Sequence, residues 1–198
     1  EKDPKNRWLS RANLRRLEVE AIRDTLYSVA GLLDRRMQGP SAPRYHETYS
    51  RSRRIPADYS SPRRALYVMT VRSEKSEGPF VLDAADPDLL VHQRMVSTTA
   101  PQALFLMNHP TTVQIAQALA QRIQHQESAD LVVKLDALYR LLFGRSPGQG
   151  EISIAQQFFN PSSPEPVLAK KTGENEHDER WLKYCHALLC TNELIYVE

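Results

Sequence analysis

Apolar residues recur at helical intervals along most of this chain, and that period restricts what it can become. Leu131, Leu135, Leu138, Tyr139 and Leu142 fall at i, i+4, i+7, i+8 and i+11, a single stripe down one helix. Gly144 stands where such a helix ends. Ile22, Leu26, Val29 and Leu33 repeat the pattern, with Leu14 and Leu17 one turn back, so residues 12–36 read as one long amphipathic helix closed by Gly39-Pro40. Val113, Ile115, Ala116, Leu119, Ala120 and Ile123 mark another, and Ile152, Ala155, Phe158 and Phe159 a third. Ser146-Pro147-Gly148-Gln149 has the spacing that opens that third helix. The last helix spans about 177–192 and carries Trp181, Cys185, Leu188 and Asn192 on one face. Only seven of 198 residues are Gly, which disfavours a turn-rich β sandwich.

The run Thr98-Thr99-Ala100-Pro101-Gln102-Ala103-Leu104-Phe105-Leu106-Met107-Asn108 is a helix start with polar residues set into an apolar segment. Pro101 suits its first turn, and Pro110 forces a break near Asn108. Strand signals are few. Residues 65–72 are rich in β-branched and aromatic side chains, and Phe80-Val81-Leu82 forms a second short candidate joined through Gly78-Pro79. The expected fold is mainly α, a helical bundle of about five or six helices with a small β hairpin and a long basic loop. Residues 1–198 form a single domain or the C-terminal portion of a larger one. Segments 40–64 and 160–175 are loops, since Pro40, Pro43, Pro56 and Pro62 break regular structure in the first.

Hydrophobic residues are 41% and charged residues 25% of the chain, a globular balance. Net charge is +2, but residues 1–75 hold 17 Lys+Arg against 9 Asp+Glu. Together with the interleaved Arg44, Tyr45, Tyr49, Arg51, Arg53, Arg54 and Tyr59, that split would suit a nucleic-acid face. Near-neutral overall charge argues against a dedicated nucleic-acid binder, and a solvated or self-docked basic half is the preferred reading. The chain has no apolar h-region and no apolar run near 18 residues, so no signal peptide or membrane span is expected within it. Starting at Glu1, it reads as a fragment of a longer protein.

Familiar chemistries find no support. Cys185-His186 has two residues of a haem-attachment motif, but Leu182 occupies the other cysteine position. Cys185 and Cys190 would diverge by about 140° on a helix and read as buried structural thiols. The six His are scattered without a paired spacing, so no metal site is expected, and there is no phosphate-cradling Gly loop and no nucleophile elbow. The acidic clusters at Asp83-Ala84-Ala85-Asp86-Pro87-Asp88 and Glu174–Glu179 read as a turn and a helix N-terminus. What remains are polar residues inlaid in apolar helices: Arg23, Asp24, Arg94, Gln102, Asn108, Asn192 and Glu193. They read as a buried polar network that fixes helix packing, with a ligand pocket as the alternative.

Six ordered stretches carry a family resemblance. They are Arg16-Leu17-Glu18-Val19-Glu20-Ala21-Ile22-Arg23-Asp24, Arg64-Ala65-Leu66-Tyr67-Val68, Phe80-Val81-Leu82-Asp83-Ala84-Ala85-Asp86-Pro87, and the run through Asn108. Later come Tyr139-Arg140-Leu141-Leu142-Phe143-Gly144-Arg145-Ser146-Pro147 and Cys185-His186-Ala187-Leu188-Leu189-Cys190-Thr191-Asn192-Glu193-Leu194-Ile195-Tyr196-Val197. Together they resemble the C-terminal portion of the planctomycete surface domain found after planctomycete cytochrome c domains. Cys190 and Leu194 depart from its usual small polar residue and Phe. The resemblance implies an exported, periplasmic or cell-surface multidomain bacterial protein in which this segment is an interaction or scaffold domain. Its partners would be the upstream domains and cell-envelope polysaccharide, and haem would belong upstream, with no cofactor in this segment. No catalytic residues are established for the family. The alternative is an enzyme domain acting on complex or sulfated polysaccharide through carboxylates such as Asp83, Asp86 or Glu193.

Overall fold

The computed structural model describes residues 3–37, 39, 61–68, 81–86, 89–90, 92–126, 130–160 and 174–197. The fold is mainly α. Among the described residues there are seven α-helices: α1 (Val19–Val29), α2 (Ala100–Asn108), α3 (Pro110–Gln124), α4 (Leu131–Phe143), α5 (Gln149–Phe159), α6 (Glu174–Leu189) and the single turn α7 (Asn192–Ile195). Two strands, β1 (Arg15–Arg16) and β2 (Tyr196–Val197), pair antiparallel with Arg15 opposite Val197 and Arg16 opposite Tyr196. The chain divides into two compact units. One holds residues 1–25, 33–105 and 191–198, and the other holds residues 26–32 and 106–190.

In the second unit, α3 packs chiefly against α6. The reason is written in α3. Ile115, Ala116, Leu119, Ala120 and Ile123 make a buried stripe in which two alanines let a neighbouring helix approach closely. Trp181, Tyr184, Cys185 and Leu189 bury the facing stripe of α6. Leu135, Leu138, Tyr139 and Leu142 do the same for α4, and Ala155 for α5. The helix ends are capped by local chemistry. The His109 ring accepts from the Thr111 amide at 3.3 Å, and Asp130 accepts from the Val132 amide at 3.0 Å. Gly144 closes α4 in the left-handed region, φ +69°. At the start of α5 the Glu151 carboxylate turns back to accept from the Gly148 amide at 2.6 Å, so the cap is Gly148 rather than the expected Ser146.

In the first unit, the N-terminal half of the expected 12–36 helix is not helical. Arg15 and Arg16 pair with β2, and the Leu17 amide donates to Ile195 at 2.8 Å, so α1 begins only at Val19. The helix also ends earlier, because Gly31 takes φ +75° and turns the chain well before Gly39-Pro40. The strand expected at 65–72 is a 3-10 turn over Ala65–Tyr67, secured by the Asp24 carboxylate at the Ala65 amide. Val81 and Leu82 of the second candidate lie in a helical turn. The antiparallel pair therefore comes from the two ends of the chain. Residues 40–60, 69–80 and 161–173, which hold most of the basic loop, the rest of the strand candidates and the linker, lie outside the described residues. No helix among the described residues is long and apolar enough to cross a membrane.

Candidate functional site

A dense polar cluster among the described residues of the first unit is organised by a residue that periodicity does not flag, Arg16. Pairing of β1 with β2 fixes its backbone and buries its side chain, which keeps 5% exposure. One terminal nitrogen donates to the Ser97 carbonyl and to Gln102 Oε1 at 3.0 Å. The other donates to the Leu82 carbonyl at 3.1 Å and to Asp83 Oδ2 at 2.8 Å. Asp83 faces it from a strained position, φ +60°, which Asp tolerates better than most residues. Its carboxylate also accepts from the Ser97 amide at 2.8 Å, from Ser97 Oγ at 2.8 and 2.9 Å, and from Gln102 Nε2 at 3.1 Å. Gln102 Nε2 lies 3.0 Å from Ser97 Oγ, and its Oε1 accepts from the Thr99 amide at 3.3 Å.

Burial opposes ionisation of Asp83, but the Ser97 amide and hydroxyl and the Arg16 guanidinium outweigh it and hold the carboxyl below its ordinary value. The arrangement joins Asp83 directly to Ser97 and ties both to Arg16. Both carboxylate oxygens are occupied by donors from the chain itself.

The residues singled out from sequence fall into separate places. Gln102 is buried in the Arg16 cluster. Arg23 and Asp24 form a second cluster in the same unit. Arg23 donates to the Arg63 carbonyl at 2.8 Å, to the Ser61 carbonyl and to Asp24 at 3.3 Å, while Asp24 accepts from the Ala65 amide at 2.7 Å. Arg94 is half-buried and pairs with Glu20 at 2.6 Å and Glu18 at 3.4 Å, beside the first turn of α1. Asn108, Asn192 and Glu193 are exposed. Asn108 lies at the C-terminal end of α2. Asn192 and Glu193 open the one-turn α7, which buries Leu194 and so turns its first two residues outward.

Arg16 and Ser97 are the functional candidates that sequence reasoning missed. An arginine in a basic stretch looks like a solvated charge, and burial by strand pairing across the chain leaves no periodic trace. The available signal was positional: Arg16, Asp83 and Gln102 each lie in a different one of the ordered motif stretches.

The second unit is rich in aromatic contacts. Phe159 stacks at 4.6 Å from Trp181 and 5.3 Å from Tyr184, and Phe158 lies 5.8 Å from Tyr184. Arg145 pairs with Glu151 at 2.7 Å and sits over the rings of Tyr139 and Phe143. With the Gly148 amide, it holds Glu151 at about 2. Burial pushes the Cys185 thiol up to about 12 and raises Cys190, which is half-buried. Such thiols are poor nucleophiles at neutral pH. Among the described residues, no group of three or more His, Cys, Asp or Glu is placed to hold a metal ion.

A family model described as PSD1, a protein of unknown function (DUF1553), matches residues 1–159. No curated protein and no solved structure matches the chain.

Proposed function

This chain belongs to the PSD1 (DUF1553) family of unknown function, and from that premise we propose that it is a non-catalytic interaction or scaffold domain. The observation that carries the reading is the Arg16 cluster. Its guanidinium donors end on two main-chain carbonyls, one amide oxygen and one carboxylate, and that carboxylate is itself filled by Ser97 and Gln102. Charge spent this way specifies a backbone conformation and leaves little for a substrate. A general acid needs the opposite, a carboxyl raised toward neutral pH, whereas Asp83 is lowered.

In this reading the domain belongs to an exported multidomain bacterial protein associated with cytochrome c domains. It packs on the upstream domains or on the cell envelope. The support is the ordered resemblance of the six motif stretches. The alternative, hydrolysis of complex or sulfated polysaccharide, sets the test. The purified chain is incubated with neutral and sulfated polysaccharides, and reducing ends are counted. Lysine cross-linking of the full-length protein is mapped in parallel. The expected result is no reducing-end release, with cross-links from this domain to upstream domains. Reducing-end release by the purified chain, or a domain that cross-links only to itself, overturns the proposal.

A further inference from the structure

The first described residues form a turn that holds apolar side chains away from the protein. Asp3 is buried, and its carboxylate accepts from the amides of Arg7 at 2.9 Å and Trp8 at 2.8 Å. Asn6 donates to the Arg11 carbonyl and to Asn13 Oδ1, both at 2.8 Å, and accepts from the Arg11 amide at 3.3 Å. Arg11 donates back to the carbonyls of Asp3 and Pro4. Two non-glycine residues are held in the left-handed region, Asn6 at φ +47° and Leu9 at φ +51°. For leucine this is a strained conformation, sustained by the bonds around it.

The turn displays Trp8 at 84% exposure, Leu9 at 79% and, just beyond, Leu14 at 67%. A fixed turn with no packed interior of its own gains nothing from such side chains in water. The exposed charges beside them are Lys5, Arg7, Arg11 and Arg15, the last of these 3.9 Å from Glu18, and the acidic residue of this stretch, Asp3, faces the turn's own amides.

We propose that residues 3–15 dock on an anionic lipid surface, with Trp8 and Leu9 entering the headgroup–acyl boundary and Lys5 and Arg7 lying against the headgroups. Indole favours that boundary, and cations flanking an apolar tip complement a negative leaflet. A sulfated glycan would answer the same cations. It has no use for Leu9 and Leu14, however, since pyranose faces stack on flat rings while acyl chains accept aliphatic ones. This inference uses residues outside the Arg16 cluster, so it stands or falls apart from the scaffold reading.

The chain carries its own probe. Of its two tryptophans, Trp8 is exposed and Trp181 is 1% exposed, so a change in emission on binding reports Trp8. The 198-residue chain is mixed with vesicles of pure phosphatidylcholine, with vesicles containing phosphatidylglycerol, and with dextran sulfate. The expected result is a blue shift and co-sedimentation with the phosphatidylglycerol vesicles alone, lost as salt rises from about 0.05 M to about 0.5 M. Trp8→Phe should abolish the shift while keeping the Trp181 emission. Trp8→Ala should weaken partitioning by about tenfold or more, and far-UV circular dichroism should be unchanged because the side chain is largely in solvent. No vesicle binding, equal binding to neutral vesicles, response to dextran sulfate without vesicles, or undiminished binding by Trp8→Ala would each overturn the proposal.

Discussion

At the scale of the residue, Asp83 ties together segments that are far apart in sequence. Replacing it by Asn leaves Arg16 buried beside a neutral amide, and removing one partner of a buried pair costs about 3 kcal/mol. Urea denaturation should show that loss. The pH dependence has a definite sign. Because the folded carboxyl is lowered, its stabilisation is complete above the unfolded value and is lost as pH falls through the folded one. Wild-type stability should therefore decline below about pH 4, and Asp83→Asn should flatten part of that decline. Glu151 behaves alike in the second unit. Its contribution fades between its ordinary 4.5 and about 2, so Glu151→Gln should remove another part of the acid-sensitive stability. How much of the site was legible follows from these residues. Gln102 stood out because an amide inside an apolar helix is conspicuous. Arg16 did not, because it is buried by pairing with residues at the other end of the chain. Asn108, Asn192 and Glu193 were flagged for interrupting apolar runs, yet each lies at a helix end, where the chain turns and polar residues meet water.

At the scale of the element, termini decided more than interiors. The stripes of α3, α4 and α6 were readable because helical packing repeats every turn, and a repeated signal survives one misread position. The extent of α1 was not readable. Leu14 and Leu17 continue its apolar rhythm, but strand pairing claims Arg15 and Arg16, and Gly31 ends the helix with a backbone angle that composition cannot report. Ala65–Tyr67 show the same override, since Asp24 fixes Ala65 in a tight turn despite the strand propensity around it. Two substitutions test the termini. Gly144→Ala places a Cβ that meets nothing within 4 Å, so its cost is the left-handed backbone alone, about 1 kcal/mol. Asp130→Ala removes the cap of α4 and should cost about 1 kcal/mol by thermal or urea denaturation.

At the scale of the whole molecule, the interior of the second unit should be the least forgiving part. Trp181→Ala empties the space beside Phe159 and Tyr184 and should cost about 3–5 kcal/mol, read as a loss of near-UV circular dichroism at lower urea. The first unit is assembled differently. Its strand pair takes Arg15–Arg16 from one end of the chain and Tyr196–Val197 from the other. During synthesis Arg16 is made long before its strand partner, and the tunnel withholds that partner until translation has passed it. Arg16 therefore emerges as a charged arginine awaiting the strand that will enclose it, and nascent chains arrested before residue 190 should be open to trypsin at that site.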